Sequence, residues 1–200
     1  CAAAGGKEAA SLKPGALPAL DAEFQHYVTF GSFPEGVAGA SVGAPAPGFV
    51  RDHLAERVLR RDLAGLAGIA DATELRRLVL ILARDTGREM GIDELATAAG
   101  VAKNTRRKSL EYLESAFVIR RLERLDQAGR RFQRAIAFKS YLVAPSLRAA
   151  LLGPASPAKA GFAHLAETAL AAQWLGSPDA RLLAYASWRG GKVDLVALDP

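Results

Sequence analysis

The stretch "GIDELATAAGVAKNTRRKSLEYLESAFVIRRL", residues 91–122, decides how the chain is read. Leu95, Ala96 and Ala99 recur at helical spacing, Gly100 interrupts them, and Leu110 and Leu113 resume the pattern after a polar, basic start. A short helix, a turn at Gly100 and a longer helix, with apolar residues meeting across the turn at Val101, is helix-turn-helix spacing. The following "FVIRRLERLD" (117–126) alternates apolar and charged residues, which predicts a half-buried strand. "QAG" (127–129) is a turn signal, and "RRFQRAIAFKSYLVA" (130–144) alternates again. Helix-turn-helix followed by a hairpin predicts a winged helix over residues 91–152.

Charge is concentrated in the same region. The chain carries 26 Lys/Arg and 21 Asp/Glu, net +5. Residues 103–139 hold eleven of the basic and four of the acidic residues, net +7, which leaves −2 for the rest. Such a regional excess attracts polyanions. Lys103, Asn104, Arg106, Arg107 and Lys108 crowd the start of the second helix, where they can meet phosphates and base edges in a major groove. Arg120, Arg121, Arg124, Arg130, Arg131 and Arg134 would line the wing. DNA is therefore the expected partner, with no sequence preference encoded. The alternative is that this helix faces another domain.

Upstream of the basic region, residues 1–23 are Ala/Gly/Pro-rich and are expected to be a flexible segment. Gly6-Lys7 resembles the end of a phosphate loop, but the Gly required five positions earlier is Cys1 and the next residue is Glu8, so no nucleotide site is read here. Cys1 is the sole cysteine and excludes an intramolecular disulfide. Followed by small residues it could mark a lipid-acylation site, although a chain cut from a longer protein is the simpler reading. A helical segment is expected over 24–90. It comprises a helix in "FQHYVTFGSFPEGV" (24–37), a loop at 38–48, a helix from Phe49 with Val50, Leu54, Val58, Leu59 and Leu63, and another with Leu75, Leu78, Val79 and Leu82 on one face. His26, His53 and His164 lack ligand spacing, and no nucleophile–base pair is visible. No run approaches the length of a membrane span.

Downstream, "PSLRAALLG" (145–153) reads as a short helix and 153–161 as a linker between domains. Then come a helix, "FAHLAETALAAQWLG" (162–176), and two apolar strands, "RLLAYASW" (181–188) and "KVDLVAL" (192–198), joined at Gly190-Gly191. Residues 162–200 are thus the beginning of an α/β domain, and the whole is mixed α+β. The helix's apolar stripe is taken as Phe162, Leu165, Ala169, Leu170 and Trp174, with Glu167 at its edge. Asp194 lies inside an apolar strand, where a buried carboxylate needs a metal, a basic neighbour such as Arg189 or Lys192, or an edge position. A solvated glutamate is the plainer reading of Glu167.

The order of these motifs resembles the C-terminal half of a large family of uncharacterised prokaryotic AAA-type ATPases. The matching residues are "FGSFPE" (30–35), Arg61-Asp62, "IDELATAAGVAKNT" (92–105), "LESAFVIRRL" (113–122), "KSYLVAPSLRAAL" (139–151), "HLAETAL" (164–170) and "GGKVDLV" (190–196). That resemblance implies an upstream ATPase, a winged helix and a domain similar to PD-(D/E)xK nucleases. It makes Glu167 and Asp194 the candidate metal carboxylates, converging within about 4 to 8 Å around Mg²⁺ in a complete domain. The E-x-K that completes such a site would lie beyond Pro200, so no cofactor is expected to be demonstrable in this chain and the chain alone is expected to be inactive. Ala144, Ser146, Lys192 and Ala186 depart from the family's pattern. The expectation is a cytoplasmic, DNA-associated accessory region whose partners are DNA, its own ATPase domain and other proteins. The alternatives are a non-catalytic scaffold with a degenerate nuclease fold and a plain winged-helix regulator.

Overall fold

A computed structural model describes residues 17–32, 72–101, 105–131, 137–158 and 161–198. The expected loop at 38–48, the helix from Phe49, Arg61-Asp62, Lys103, Asn104 and Arg134 lie outside the described residues, as does the side chain of Arg106. The described residues form six α-helices and a five-stranded mixed sheet.

The first helix, α1 (Leu17–Phe30), begins inside the segment expected to be flexible. Pro18 is tolerated in a first turn, where its missing N–H has no partner to lose. Beyond it, Phe24, Tyr27 and Val28 supply one apolar face against Leu165, Ala169 and Phe162. The helix expected within 24–37 thus starts earlier, at Leu17, where Ala, Pro and polar residues give little apolar periodicity, and it ends at Phe30. The Phe24 and Phe162 rings meet edge to face at 6.1 Å.

Helix α2 (Ala72–Arg84) buries Leu75, Leu78, Val79 and Leu82, the face its spacing predicts. Strand β1 (Glu89–Gly91) leads into α3 (Ile92–Ala99), which ends at Gly100 with φ 66°. This left-handed conformation suits Gly and lets Val101 N–H reach the Ala96 carbonyl. Helix α4 (Arg106–Ser115) then buries Ser109, Leu110 and Leu113. Its end is closed by Phe117 at φ 54°, an uncommon conformation for a side-chain-bearing residue. The exposed Phe117 ring lies 5.0 Å from the Arg120 guanidinium.

Strands β2 (Ile119–Leu125) and β3 (Ala137–Leu142) form the expected hairpin, and β1 pairs antiparallel with β3. Burial along β2 falls on Ile119, Leu122 and Leu125, so the strand is not the half-solvated ribbon that its alternation predicts. Ile119 belongs to the core under α2–α4, and Leu122 packs with Tyr141, Ala171, Leu175 and Tyr185. Both faces of β2 are therefore covered. Helix α5 (Ser146–Leu152) follows β3, then α6 (Gly161–Leu175), a 3-10 turn (Pro178–Leu182), β4 (Leu183–Trp188) and β5 (Gly191–Ala197).

The sheet order is β1-β3-β2-β4-β5. Strand β4 pairs parallel with β2 at Arg124–Tyr185 and Leu125–Ala186, and β5 returns antiparallel to β4. One sheet thus runs across the stretch 153–161 that the sequence suggested as a linker. Helix α6 lies over this sheet with Leu165, Thr168, Ala169, Ala171 and Leu175 buried. Leu170 and Trp174 were expected in that buried stripe, yet they are 65% and 56% exposed. Small residues at 168, 169 and 171 let the helix approach closely and turn it about its axis. Glu167, nearer the start of the helix than Trp174, reaches β3, where it meets Lys139 and Tyr141.

Candidate functional site: a carboxylate–lysine cluster

Along β3 the side chains alternate between faces. Phe138 and Leu142 join the core under α2–α4, and Lys139 and Tyr141 point the other way, toward α6 and β5. Lys139 is 3% exposed and Tyr141 fully buried. A buried ammonium must be compensated. Lys139 Nζ donates to Glu167 Oε1 at 2.9 Å and to Asp194 Oδ1 at 2.5 Å. The two oxygens are thus no farther apart than the sum of these distances, and the two predicted carboxylates meet although they come from a helix and an edge strand.

Second partners complete the cluster. Tyr141 O–H donates to Glu167 Oε1 at 2.5 Å, and Lys192 Nζ lies 3.1 Å from Asp194 Oδ1. Two ammonium groups and two carboxylates balance formally to zero. Burial opposes the charge on Asp194, but hydrogen bonds from Lys139 and Lys192 prevail and hold its carboxyl below the ordinary value. The Asp194 hydrogen bond in turn raises Lys192. Burial, reinforced by the hydrogen bond to Glu167, pushes the Tyr141 phenol far above its usual range, so Tyr141 stays a donor. The basic neighbour expected beside Asp194 was Arg189 or Lys192. Lys192 is there, but the shared partner is Lys139.

Gly87 closes the cluster from the α2–β1 turn. It has φ 79°, and a Cβ there would sit 3.6 Å from the Glu167 carboxyl carbon. Thr86 beside it is buried. Leu142 N–H donates to Thr86 Oγ1 at 3.1 Å, and Thr168 Oγ1 donates to the His164 carbonyl, so the 2.9 Å contact between the hydroxyls runs from Thr86 to Thr168. These bonds fix α6 against β3 at Thr168, the residue next to Glu167. A cavity of about 210 Å³ opens beside the cluster, lined by Lys139, Lys192, His164, Tyr185, Gly87 and Glu89 among others.

A divalent cation does not fit this arrangement. Lys139 Nζ occupies the position between the carboxylates, and no group of three or more His, Cys, Asp or Glu side chains among the described residues could hold a metal. What the residues do as placed is tie β3, β5 and α6 together.

The predicted DNA-facing residues divide into two sets. Arg107 and Lys108 project from α4 on the side away from Leu110 and Leu113, with Arg107 3.0 Å from Glu111. Others are engaged within the fold. Arg121 pairs with Glu114 at 2.5 Å, and Arg124 lies 3.5 Å from Glu89 and donates to the Ser187 carbonyl. Arg131 pairs with Glu123 at 3.0 Å and donates to the carbonyls of Arg181 and Leu183. Arg130 stays at the exposed turn, 3.5 Å from Asp126.

Sequence reasoning overlooked Lys139 and Tyr141. The signal was present, since Lys139 interrupts an apolar strand just as Asp194 does. No helix among the described residues is long and apolar enough to cross a membrane.

The family model described as a domain of unknown function, DUF8612, matches residues 21–158, more than half of the chain, and the chain belongs to that family. The match stops within the stretch 153–161, before α6, β4 and β5. No curated protein and no solved structure matches the chain.

Proposed function

We propose that this member of the DUF8612 family is a DNA-associated accessory region of an AAA-type ATPase, a winged helix joined to a PD-(D/E)xK-like unit that does not hydrolyse DNA in this chain. The observation that carries the reading is the outward face of α4. Arg107 and Lys108 are exposed there on a helix whose other face is locked into the core by Leu110 and Leu113. Supporting it is the order helix, short strand, helix, helix, hairpin, with the short strand paired to the second hairpin strand, an order that agrees with a winged helix. The meeting of Glu167 and Asp194 supports the nuclease-like resemblance. Lys139 between them favours a tie over a catalytic centre, which is also the strongest support for the scaffold alternative.

The test is duplex binding followed by fluorescence anisotropy across a salt series. The expected result is weak binding without sequence preference, with log affinity falling linearly in log salt. Arg107→Glu with Lys108→Glu should weaken every duplex alike, and removing the two contacts should flatten the salt slope by roughly two. Undetectable binding at low salt, or binding indifferent to the double reversal, would remove α4 as a DNA site and leave the scaffold.

A further inference from the structure

The β4–β5 hairpin extends past the end of β2, and an open groove of about 540 Å³ lies between its tip and the turn after β2. Arg124, Leu125, Asp126 and Arg130 form one wall, and Ser187, Trp188 and Arg189 the other. Arg130 and Arg189 are exposed on the two walls, whereas Arg124 is held by Glu89 and the Ser187 carbonyl, and Asp126 lies 3.5 Å from Arg130. Asp126 is moreover committed to its own turn, accepting the Ala128 and Arg130 N–H groups at 2.9 and 2.8 Å. The charged side chains lining the groove, Arg124, Asp126, Arg130 and Arg189, sum to a net positive charge, which suits an anionic strand.

It also carries an aromatic ring in a defined position. Trp188 is 51% exposed, and a Cβ at Gly191, its partner across the hairpin, would lie 2.8 Å from the ring. The indole rests on the Gly191 backbone and leaves its other side to solvent. A ring so placed beside exposed cations suits a base with a free π-face. Duplex bases are stacked on both sides and offer none, whereas single strands supply both the face and the phosphates. Ser187 lines this groove and also the cavity beside Lys139 and Lys192, so the two adjoin.

We propose that this groove binds single-stranded DNA, with a base stacked on Trp188 and phosphates held by Arg130 and Arg189. The proposal rests on the DNA-associated reading above but on a different surface from α4, so the two can fail separately.

The experiment uses the whole 200-residue chain and a fluorescein-labelled dT12 oligonucleotide, read by anisotropy at low salt, with a 12-base-pair duplex in parallel. Loss of one stacked base should weaken dT12 binding of the Trp188→Ala protein roughly 5- to 100-fold. Trp188→Phe should recover most of it, and duplex affinity should stay within about twofold. The chain has two tryptophans, so in a Trp174→Phe background dT12 should quench the emission of Trp188 alone. Gly191→Ala, which displaces the ring without removing it, should weaken dT12 binding too. Unchanged dT12 affinity in Trp188→Ala, with an unchanged melting profile, overturns the proposal. So does absence of quenching in the Trp174→Phe protein, which keeps Trp188 and is read even if Trp188→Ala fails to fold. Displacement of dT12 by an equal concentration of a glutamate dodecamer also overturns it, because the groove would then be a general anion surface. Oligo(U) matching dT12 would extend the ligand to RNA, consistent with stacking, which reads no sugar. Duplex binding lost on α4 reversal while dT12 binding persists separates the two sites. Trp188-dependent dT12 binding with no duplex binding keeps this proposal and removes the α4 reading.

Discussion

Replacing Lys139 by Met isolates the contribution of the buried ammonium. The substitution keeps an unbranched side chain of similar length, so little volume is lost, but Glu167 and Asp194 are left facing each other without their shared cation. Breaking a buried ion pair by removing one partner destabilises by about 3–5 kcal/mol. The side chains of Glu167 and Asp194 keep 18% and 35% exposure, and Lys192 remains beside Asp194, so the lower end, about 3 kcal/mol, applies here. In a chain of this size each kcal/mol lowers the melting temperature by roughly 2–4 °C, which gives a fall of about 6–12 °C. Urea unfolding followed by circular dichroism measures the first quantity and a thermal scan the second. The triple variant Lys139→Met, Glu167→Gln, Asp194→Asn removes the stranded charges and should recover at least half of the loss. A single variant within about 0.5 kcal/mol of the parent, or a triple variant no better than the single, would refute the cluster as a tie between β3, β5 and α6.

Three further outcomes follow from the same geometry. Tyr141→Phe removes a hydrogen bond to a charged acceptor and should destabilise by about 1.5–3 kcal/mol in the same urea assay. Because Asp194 is held below its ordinary value in the folded chain, its contribution is present above the unfolded carboxylate range near pH 4 and disappears as pH falls through the lower folded value. Asp194→Asn should therefore flatten the stability profile below about pH 4, as measured by melting temperature in a series of acid buffers. The 200-residue chain should not turn over ATP, and Lys7→Ala should leave a coupled phosphate-release assay at background.

The local elements were legible because their signals are short-range. Leu75, Leu78, Val79 and Leu82 gave the buried face of α2, Gly100 the turn, and Gly190 with Gly191 the second hairpin. Asp194 was legible because a carboxylate amid apolar neighbours demands an explanation, whereas Glu167 was singled out only by the family resemblance. Lys139 made the same demand from the middle of β3 and was read instead as part of the basic surface, since summing charges over 103–139 hides which side each one faces. The burial of β2 on both faces was not legible. It depends on β4, whose pairing partner lies far away in sequence, and periodicity carries no information about a remote neighbour. Helix α6 misled for a related reason. Leu170 and Trp174 are its largest apolar side chains, yet the close approach of the helix is set by the small residues Thr168, Ala169 and Ala171.

The joint between β2 and β4 orders events during synthesis. β2 and β3 are a hairpin, and β1 and α2–α4 lie within the preceding residues, so this part can assemble from near-neighbour contacts as it emerges. Arg124 and the Ser187 carbonyl, by contrast, are 63 positions apart. Until β4 arrives, β2 presents an unpaired backbone edge with Leu122 uncovered, the kind of edge to which a stray strand can add. The long-range closure is the slower step on loop-entropy grounds. Arg120, Arg121 and Arg124 lie along that strand, and the mutual repulsion of such cationic strands between two nascent chains opposes their pairing while the edge is open.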